Sequence, residues 1–258
     1  VASSRRNLLV GGLVLAGGYG AVRFGLQSFT ELFADELEFE PIADPAGFRR
    51  ISGGPSSVGF DPFFGLDDGD GSGRAVAVAD VRRRLCAALF GTAQPDPDVV
   101  PVASFSDYYC PYCRVLTQKL ASLEESADGA IRVEWHELPL LGEASLAAAK
   151  AALAAERQGA YVAFHRRLMR TPFRPTRGYI SRLAADLGVD ETQMIADMDG
   201  AEVLAEIGES GALARLFGFI GTPALVVGRT VVQGEVDDGT LRRLIERERA
   251  DGPIPACA

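Results

Sequence analysis

Two cysteines separated by Pro111 and Tyr112, in Cys110-Pro111-Tyr112-Cys113, stand between an apolar strand-like run, Val99 to Phe105, and a helix-like run, Arg114 to Glu125. A strand that ends at a cysteine and restarts as a helix places the first sulfur at a helix N-terminus. There, unpaired backbone N–H groups and the helix dipole favour a thiolate. Pro111 suits the first helical position, because its fixed φ fits and its missing N–H would have no partner there. Cys113 falls on the same face, within reach of a disulfide with Cys110. Three chemistries use such a pair. Zinc would need two further Cys or His ligands at short spacing, and no second Cys-x-x-Cys or nearby His pair exists, so no metal site is assigned. A structural disulfide normally closes a long loop, and this one would close almost nothing. The pattern therefore favours a redox dithiol, with Cys110 the exposed nucleophile and Cys113 the sheltered resolving thiol.

The elements around the pair are legible from period and punctuation. Val99 to Phe105 and Ile131 to Leu138 read as strands, and Pro111 to Ser126 as the helix between them, giving a βαβ unit with a parallel pair. From Glu143 to Phe217 the chain reads as helical: the Ala-rich Ala144 to Gln158, then Tyr161 to Arg170 and Ile180 to Leu187, with Asp190 and Asp199 as N-caps of two more helices. Strands return at Ala224 to Val227 and Thr230 to Val232, joined by Gly228-Arg229, and Asp237 opens a last helix through Arg249. Ahead of the unit, Ala75 to Phe90 reads as one amphipathic helix and Ser28 to Phe39 as a short one. Phe48 to Ile51 reads as an edge strand. Gly53-Gly54-Pro55 and Asp67-Asp68-Gly69-Asp70-Gly71 read as turn or loop signals, the second lacking EF-hand spacing.

Composition excludes some functions. With 47% hydrophobic residues the 258-residue chain can bury a substantial core, and its net charge of −9 argues against a nucleic-acid partner. Arg5-Arg6 followed by the uncharged run Leu8 to Val22 reads as an export segment, shorter than the roughly 20 residues of a membrane-spanning helix. A cleaved signal, a twin-arginine signal and a retained membrane anchor all remain open, and each puts the catalytic part outside the cytoplasm, in the periplasm or an equivalent space. Such a compartment permits disulfides. With Cys110 and Cys113 taking each other, Cys86 and Cys257 remain for a structural bridge, with two free buried thiols as the alternative. The bridge would close a loop of about 170 residues, worth at most roughly 5 kcal/mol on a chain-entropy model.

Four stretches in order resemble the DsbA-like thioredoxin-fold disulfide oxidoreductases: Phe105 to Cys113, Leu138-Pro139-Leu140-Leu141-Gly142, Gln158-Gly159-Ala160 with Phe164-His165, and Gly221-Thr222-Pro223-Ala224. The resemblance implies an α/β thioredoxin fold with an inserted helical domain and an N-terminal extension. Residues 1–26 are then the export signal or anchor and 27–98 the extension. The core comprises 99–142 and 218–250, the helical insertion 143–217, and the tail 251–258. It further implies that Thr222-Pro223 is cis and lies beside the disulfide, leaving the Thr222 backbone free to pair with an extended substrate. Pro111 and Tyr112 join it as substrate contacts, and Tyr108, Tyr109 and Tyr112 crowd the rim. Some members carry a buried acid six residues before the first cysteine, where this chain has Ser104. Asp107, Glu134 and Glu137 are possible substitutes, each read as an exposed or capping carboxylate, and His136 and His165 as structural. The implied activity is exchange of disulfides with cysteine-containing exported proteins, with a membrane redox partner resetting the pair and no metal or organic cofactor. A reductase or isomerase, favoured by Thr before Pro223, is the alternative. A Cu(I)-binding thiol protein is a more distant one that lacks a Met- or His-rich tract.

Overall fold

The structure, a computed structural model, describes residues 37–59, 76, 78–92, 96, 98–126, 131–170, 172–254 and 257. The apolar run Leu8 to Val22, the expected helix from Ser28 up to residue 36, and the Asp67–Asp70 cluster lie outside the described residues. Phe39, the expected end of that helix, is not helical, and the Arg49 guanidinium lies over its ring.

Strand β4 (Val100–Ser106) is buried along nearly its whole length, which fits a central strand with both faces covered. On one side β5 (Ile131–Glu137) pairs with it in parallel, from Val100↔Ile131 to Ser106↔Glu137. On the other side β7 (Ala224–Val227) pairs antiparallel, and Gly228-Arg229 turns the chain into β8 (Thr230–Gln233). The sheet is completed by β2 (Arg49–Ile51), parallel to β8, and β1 (Glu40–Pro41), giving the order β1-β2-β8-β7-β4-β5. The segment read as an edge strand is therefore flanked on both sides. It is fastened as well as paired: Arg49 Nε donates to Thr230 Oγ1 (2.8 Å), and the guanidinium pairs with Asp251 (2.7 Å) and with buried Glu248, which also accepts from Thr230 Oγ1.

Helices cover both faces. The stretch read as one helix over Ala75 to Phe90 is two, α1 (Val78–Arg83) and α2 (Leu85–Phe90), broken at Arg84, whose guanidinium makes a two-pronged pair with Glu209. The break re-aims the chain, so that α2 buries Leu85, Ala88, Leu89 and Phe90 whereas α1 buries only Val81. Helix α3 (Pro111–Glu124) links β4 to β5. Between β5 and the short strand β6 (Gly221–Thr222) lies the helical insert: α4 (Glu143–Glu156), α5 (Tyr161–Arg170), α6 (Arg177–Asp186), α7 (Glu191–Asp197) and α8 (Ala201–Phe217). The alanines of α4 are buried on almost every side, and their small size lets α5, α7 and α8 pack against it. Asp190 caps α7 as expected, its carboxylate accepting from the Gln193 N–H (2.9 Å), but Gly200 rather than Asp199 caps α8. The Asp199 carboxylate is engaged instead by Lys150 at 2.8 Å. Helix α9 (Asp238–Asp251), capped by Asp237, closes the core. This is a thioredoxin-fold sheet with a helical domain inserted before β6 and extra residues ahead of β4.

Candidate dithiol site

Cys110 is the N-cap of α3, with Pro111 at the first helical position and the Cys113 N–H donating to its sulfur (3.3 Å). That bond satisfies one of the orphan donors of the helix start and points the positive end of the N–H dipole at the sulfur. Cys113 is one turn inward, and its own sulfur accepts from the Asp107 N–H (3.5 Å). The two thiols are unbonded, the dithiol form of the pair. Their surroundings push them apart in acidity. A hydrogen bond from Cys113 is the largest influence on Cys110, with Ser57, the Cys113 N–H and Thr222 adding to it against burial, and together they lower its pKa from 9.0 to about 6. Burial pushes Cys113 well above the ordinary thiol value, and a thiolate at Cys110 adds to the push.

The sequence placed Cys110 at the surface; the structure covers it, with 0% of its area exposed against 1% for Cys113. Thr222 lies against the sulfur, and the strand β3 (Ser57–Val58) is paired to it. The Cys110 thiol donates to the Thr222 carbonyl (3.2 Å), and β3 pairs antiparallel with β6 in the register Ser57↔Thr222 and Val58↔Gly221. The Thr222–Pro223 peptide bond is cis, and Thr222 is itself fully buried. Pro111 is exposed beside the pair and Tyr112 half-buried. Of the three rim tyrosines, Tyr108 belongs to the core, and Tyr109 is half-buried with its hydroxyl on the Phe173 carbonyl (2.9 Å). Cys86 and Cys257 are joined by a disulfide.

Two carboxylates read as exposed or capping are buried. Asp107 accepts from the Tyr109 N–H (2.7 Å), the Leu141 N–H (3.0 Å) and the Ser145 hydroxyl (2.8 Å), so it does cap a turn, but inside the protein, and burial raises its pKa. It ties the approach to Cys110 to the first turn of α4. Glu137 ends β5 on the face that the insert covers, and its Oε1 accepts from the hydroxyls of Tyr108 and Tyr161 (2.7 Å) with His165 Nδ1 at 3.1 Å. Strand alternation assigns Glu137 to a face but says nothing of the layer packed on it, and that layer is what buries it. Glu134 is exposed, as read. Ser104 is buried. His136 stacks on Phe105, with Nε2 3.0 Å from the Leu89 carbonyl. Ser57 carried no signal that sequence could offer, being one polar residue in a Gly-, Pro- and Ser-rich stretch.

Comparison with known proteins gives one family. Residues 101–246 match the model of the DSBA-like thioredoxin domain. Among solved structures, a thioredoxin-like oxidoreductase from Silicibacter pomeroyi DSS-3 is 38% identical, with a TM-score of 0.58 over 64% of this chain and 97% of that one. The thiol-disulfide exchange protein alpha-DsbA2 from Wolbachia pipientis is 25% identical, with a TM-score of 0.57 over 66% and 94%. A periplasmic thioredoxin-like protein from Salmonella enterica serovar Typhimurium is 27% identical, with a TM-score of 0.54 over 65% and 97%. No curated protein matches the chain.

Proposed function

Since the chain belongs to the DSBA-like thioredoxin-domain family and is an oxidoreductase with a redox-active cysteine pair, we propose that it acts outside the cytoplasm as an oxidant of cysteine-bearing exported proteins. A substrate thiolate attacks Cys110 of the oxidised pair. The Cys110–Cys113 bond breaks, Cys113 leaves as the thiolate, and a mixed disulfide forms. The second substrate thiolate attacks the substrate sulfur of that bond. Cys110 then departs as a thiolate, and two electrons have passed from substrate to enzyme. A sulfur with a pKa of about 6 is a good leaving group near neutral pH, which favours this direction. Thr222, with Pro223, Pro111 and Tyr112, would hold the peptide. A membrane redox partner would reoxidise the pair.

The observation that carries the reading is the position of Cys110, at the helix N-cap and 3.2 Å from the Thr222 carbonyl, on the strand where a peptide would pair. An extracytoplasmic setting is supported by the export-type run Leu8 to Val22, by the Cys86–Cys257 disulfide and by the periplasmic Salmonella relative. The test is trapping: Cys113→Ala should accumulate mixed disulfides with a reduced cysteine protein through Cys110, and Cys110→Ala should not. Trapping through Cys113 in the Cys110→Ala protein would reverse the roles. Efficient reduction of disulfides with poor oxidation of a dithiol peptide would make the protein a reductase.

A further inference from the structure

The strand paired to Thr222 beside Cys110 comes from the N-terminal extension, not from the thioredoxin core or its insert. β3 runs antiparallel to β6, the strand beside the sulfur, and adds to its edge as a bound peptide would. The fit is tight enough to restrict sequence: a Cβ on Gly221 would sit 2.6 Å from the Ser57 carbonyl oxygen, so only glycine lets the two backbones approach. Gly59 continues past Leu140, so the segment touches the loops on both sides of the cysteine pair. Ser57 stands opposite Thr222, whose carbonyl accepts from the Cys110 thiol (3.2 Å), and its side chain is among the groups that hold the Cys110 pKa down. Serine has the shape of cysteine with oxygen for sulfur, and it cannot exchange. Upstream, the segment is clamped: the Gly54 N–H donates to the Glu235 carbonyl (2.9 Å), and the Glu235 N–H to the Pro55 carbonyl (2.9 Å). A Cβ on Gly53 would lie 1.8 Å from the Gln233 carbonyl oxygen, so the clamp closes only on glycine. Gly53-Gly54-Pro55, a bare turn signal in the sequence, is the anchor of this strap.

We propose that residues 52–59 are a built-in substrate mimic, with β3 occupying the edge on which a partner's cysteine segment must pair and Ser57 in the place of that cysteine. The inference rests on the disulfide-exchange reading of Cys110. A partner presents an extended segment antiparallel to Gly221–Thr222, its cysteine flanked as Ser56 and Val58–Gly59 flank Ser57. It must displace the strap before its sulfur can reach Cys110. Only the fraction of molecules with the strap open is competent, so the apparent rate is lowered by that fraction.

Two variants of the full chain test this. In the first, Ser57→Cys combined with Cys113→Ala is treated with oxidised glutathione. The Cys110 thiolate attacks oxidised glutathione, breaking its disulfide and releasing one reduced glutathione; the thiolate at position 57 then attacks the Cys110 sulfur, expels the second glutathione and leaves an intramolecular bond between position 57 and Cys110. Peptide mapping should find that bond in most molecules. Glutathione retained on Cys110 beside a free thiol at position 57 would overturn the proposal. In the second, Gly53→Ala should unseat the strap and speed alkylation of reduced Cys110 by about tenfold, as expected if about one molecule in ten is open in the parent. An unchanged rate in a folded variant would overturn the proposal, and the first variant decides if Gly53→Ala fails to fold. The exchange reading fails separately, if Cys113→Ala traps no cysteine protein at Cys110 even when Gly53→Ala is added.

Discussion

At Cys110 the chemistry becomes a stability term that pH can read. In the reduced protein its pKa is lowered from 9.0 to about 6, so the folded state favours the thiolate relative to the unfolded chain. The stabilisation is complete above about pH 9 and is lost as pH falls through about 6, with a slope of roughly 1.4 kcal/mol per pH unit between. Cys113 is raised instead, so its contribution is full below pH 9 and changes only at higher pH. Denaturant unfolding of reduced protein and of Cys110→Ala at several pH values should therefore give a stability difference that grows from pH 6 to 9, and a flat difference would refute the assigned acidity. Glu137 supports a second expectation. It accepts from two buried tyrosine hydroxyls and faces His165, so Glu137→Ala leaves the two hydroxyls to share His165 Nδ1 (2.8 and 3.3 Å) and should cost about 3 kcal/mol. Tyr108→Phe should cost nearer 1 kcal/mol. Equal losses in urea unfolding would show that the carboxylate is no hub. The thiols were legible because Cys-x-x-Cys at a strand-to-helix junction has few other uses. Glu137 was not, because its partners Tyr108, Tyr161 and His165 come from a loop and a helix whose packing the sequence does not state.

At the scale of elements, what sequence missed is how the extension joins the core. Phe48 to Ile51 had a strand's composition, but only the structure shows it entering the sheet between β1 and β8 with Arg49 reaching Glu248 and Asp251. Glu248 is buried and also accepts from the Arg229 N–H (2.9 Å), so Glu248→Ala should take the acceptor from that N–H and from the Thr230 hydroxyl, leave Asp251 as the carboxylate facing Arg49, and cost about 3 kcal/mol. Hydrogen exchange should show the loss concentrated in β2 and β8, and an unprotected β2 in the parent protein would contradict the pairing. Periodicity likewise found the apolar stripe Val81, Leu85 and Leu89 but not the break at Arg84, because the stripe runs on through a residue whose backbone leaves helical values (φ −130°, ψ 35°). The Cys86–Cys257 bond fastens α2 to the C-terminal turn across 171 residues, and on a chain-entropy model Cys86→Ala with Cys257→Ala should lower stability by roughly 2–5 kcal/mol. Both thiols alkylatable in natively oxidised protein would remove that bond from the account.

For the whole molecule the question is which way electrons flow, and magnitudes constrain the answer. Reduction potentials of proteins of this kind run from about −270 mV in thioredoxin to about −120 mV in DsbA, and about 30 mV corresponds to 1.4 kcal/mol for two electrons. At pH 7 a thiolate of pKa about 6 stabilises the reduced form by only about 1.4 kcal/mol, since the full effect needs a pH near that of an unperturbed thiol. Ionisation of Cys110 alone therefore raises the potential by about 30 mV at neutral pH. That is a fifth or so of the span, so an intermediate potential is expected. The pH dependence is the sharper measure. Below about pH 6 reduction takes up two protons with two electrons, and the potential should fall by about 59 mV per pH unit. Above it Cys110 remains a thiolate while Cys113 holds its proton, and the slope should halve to about 30 mV. Equilibration against glutathione across pH 5 to 8 would display the bend. A single slope of 59 mV throughout, with a potential as reducing as thioredoxin's, would mean that Cys110 stays protonated and that the protein reduces disulfides rather than making them.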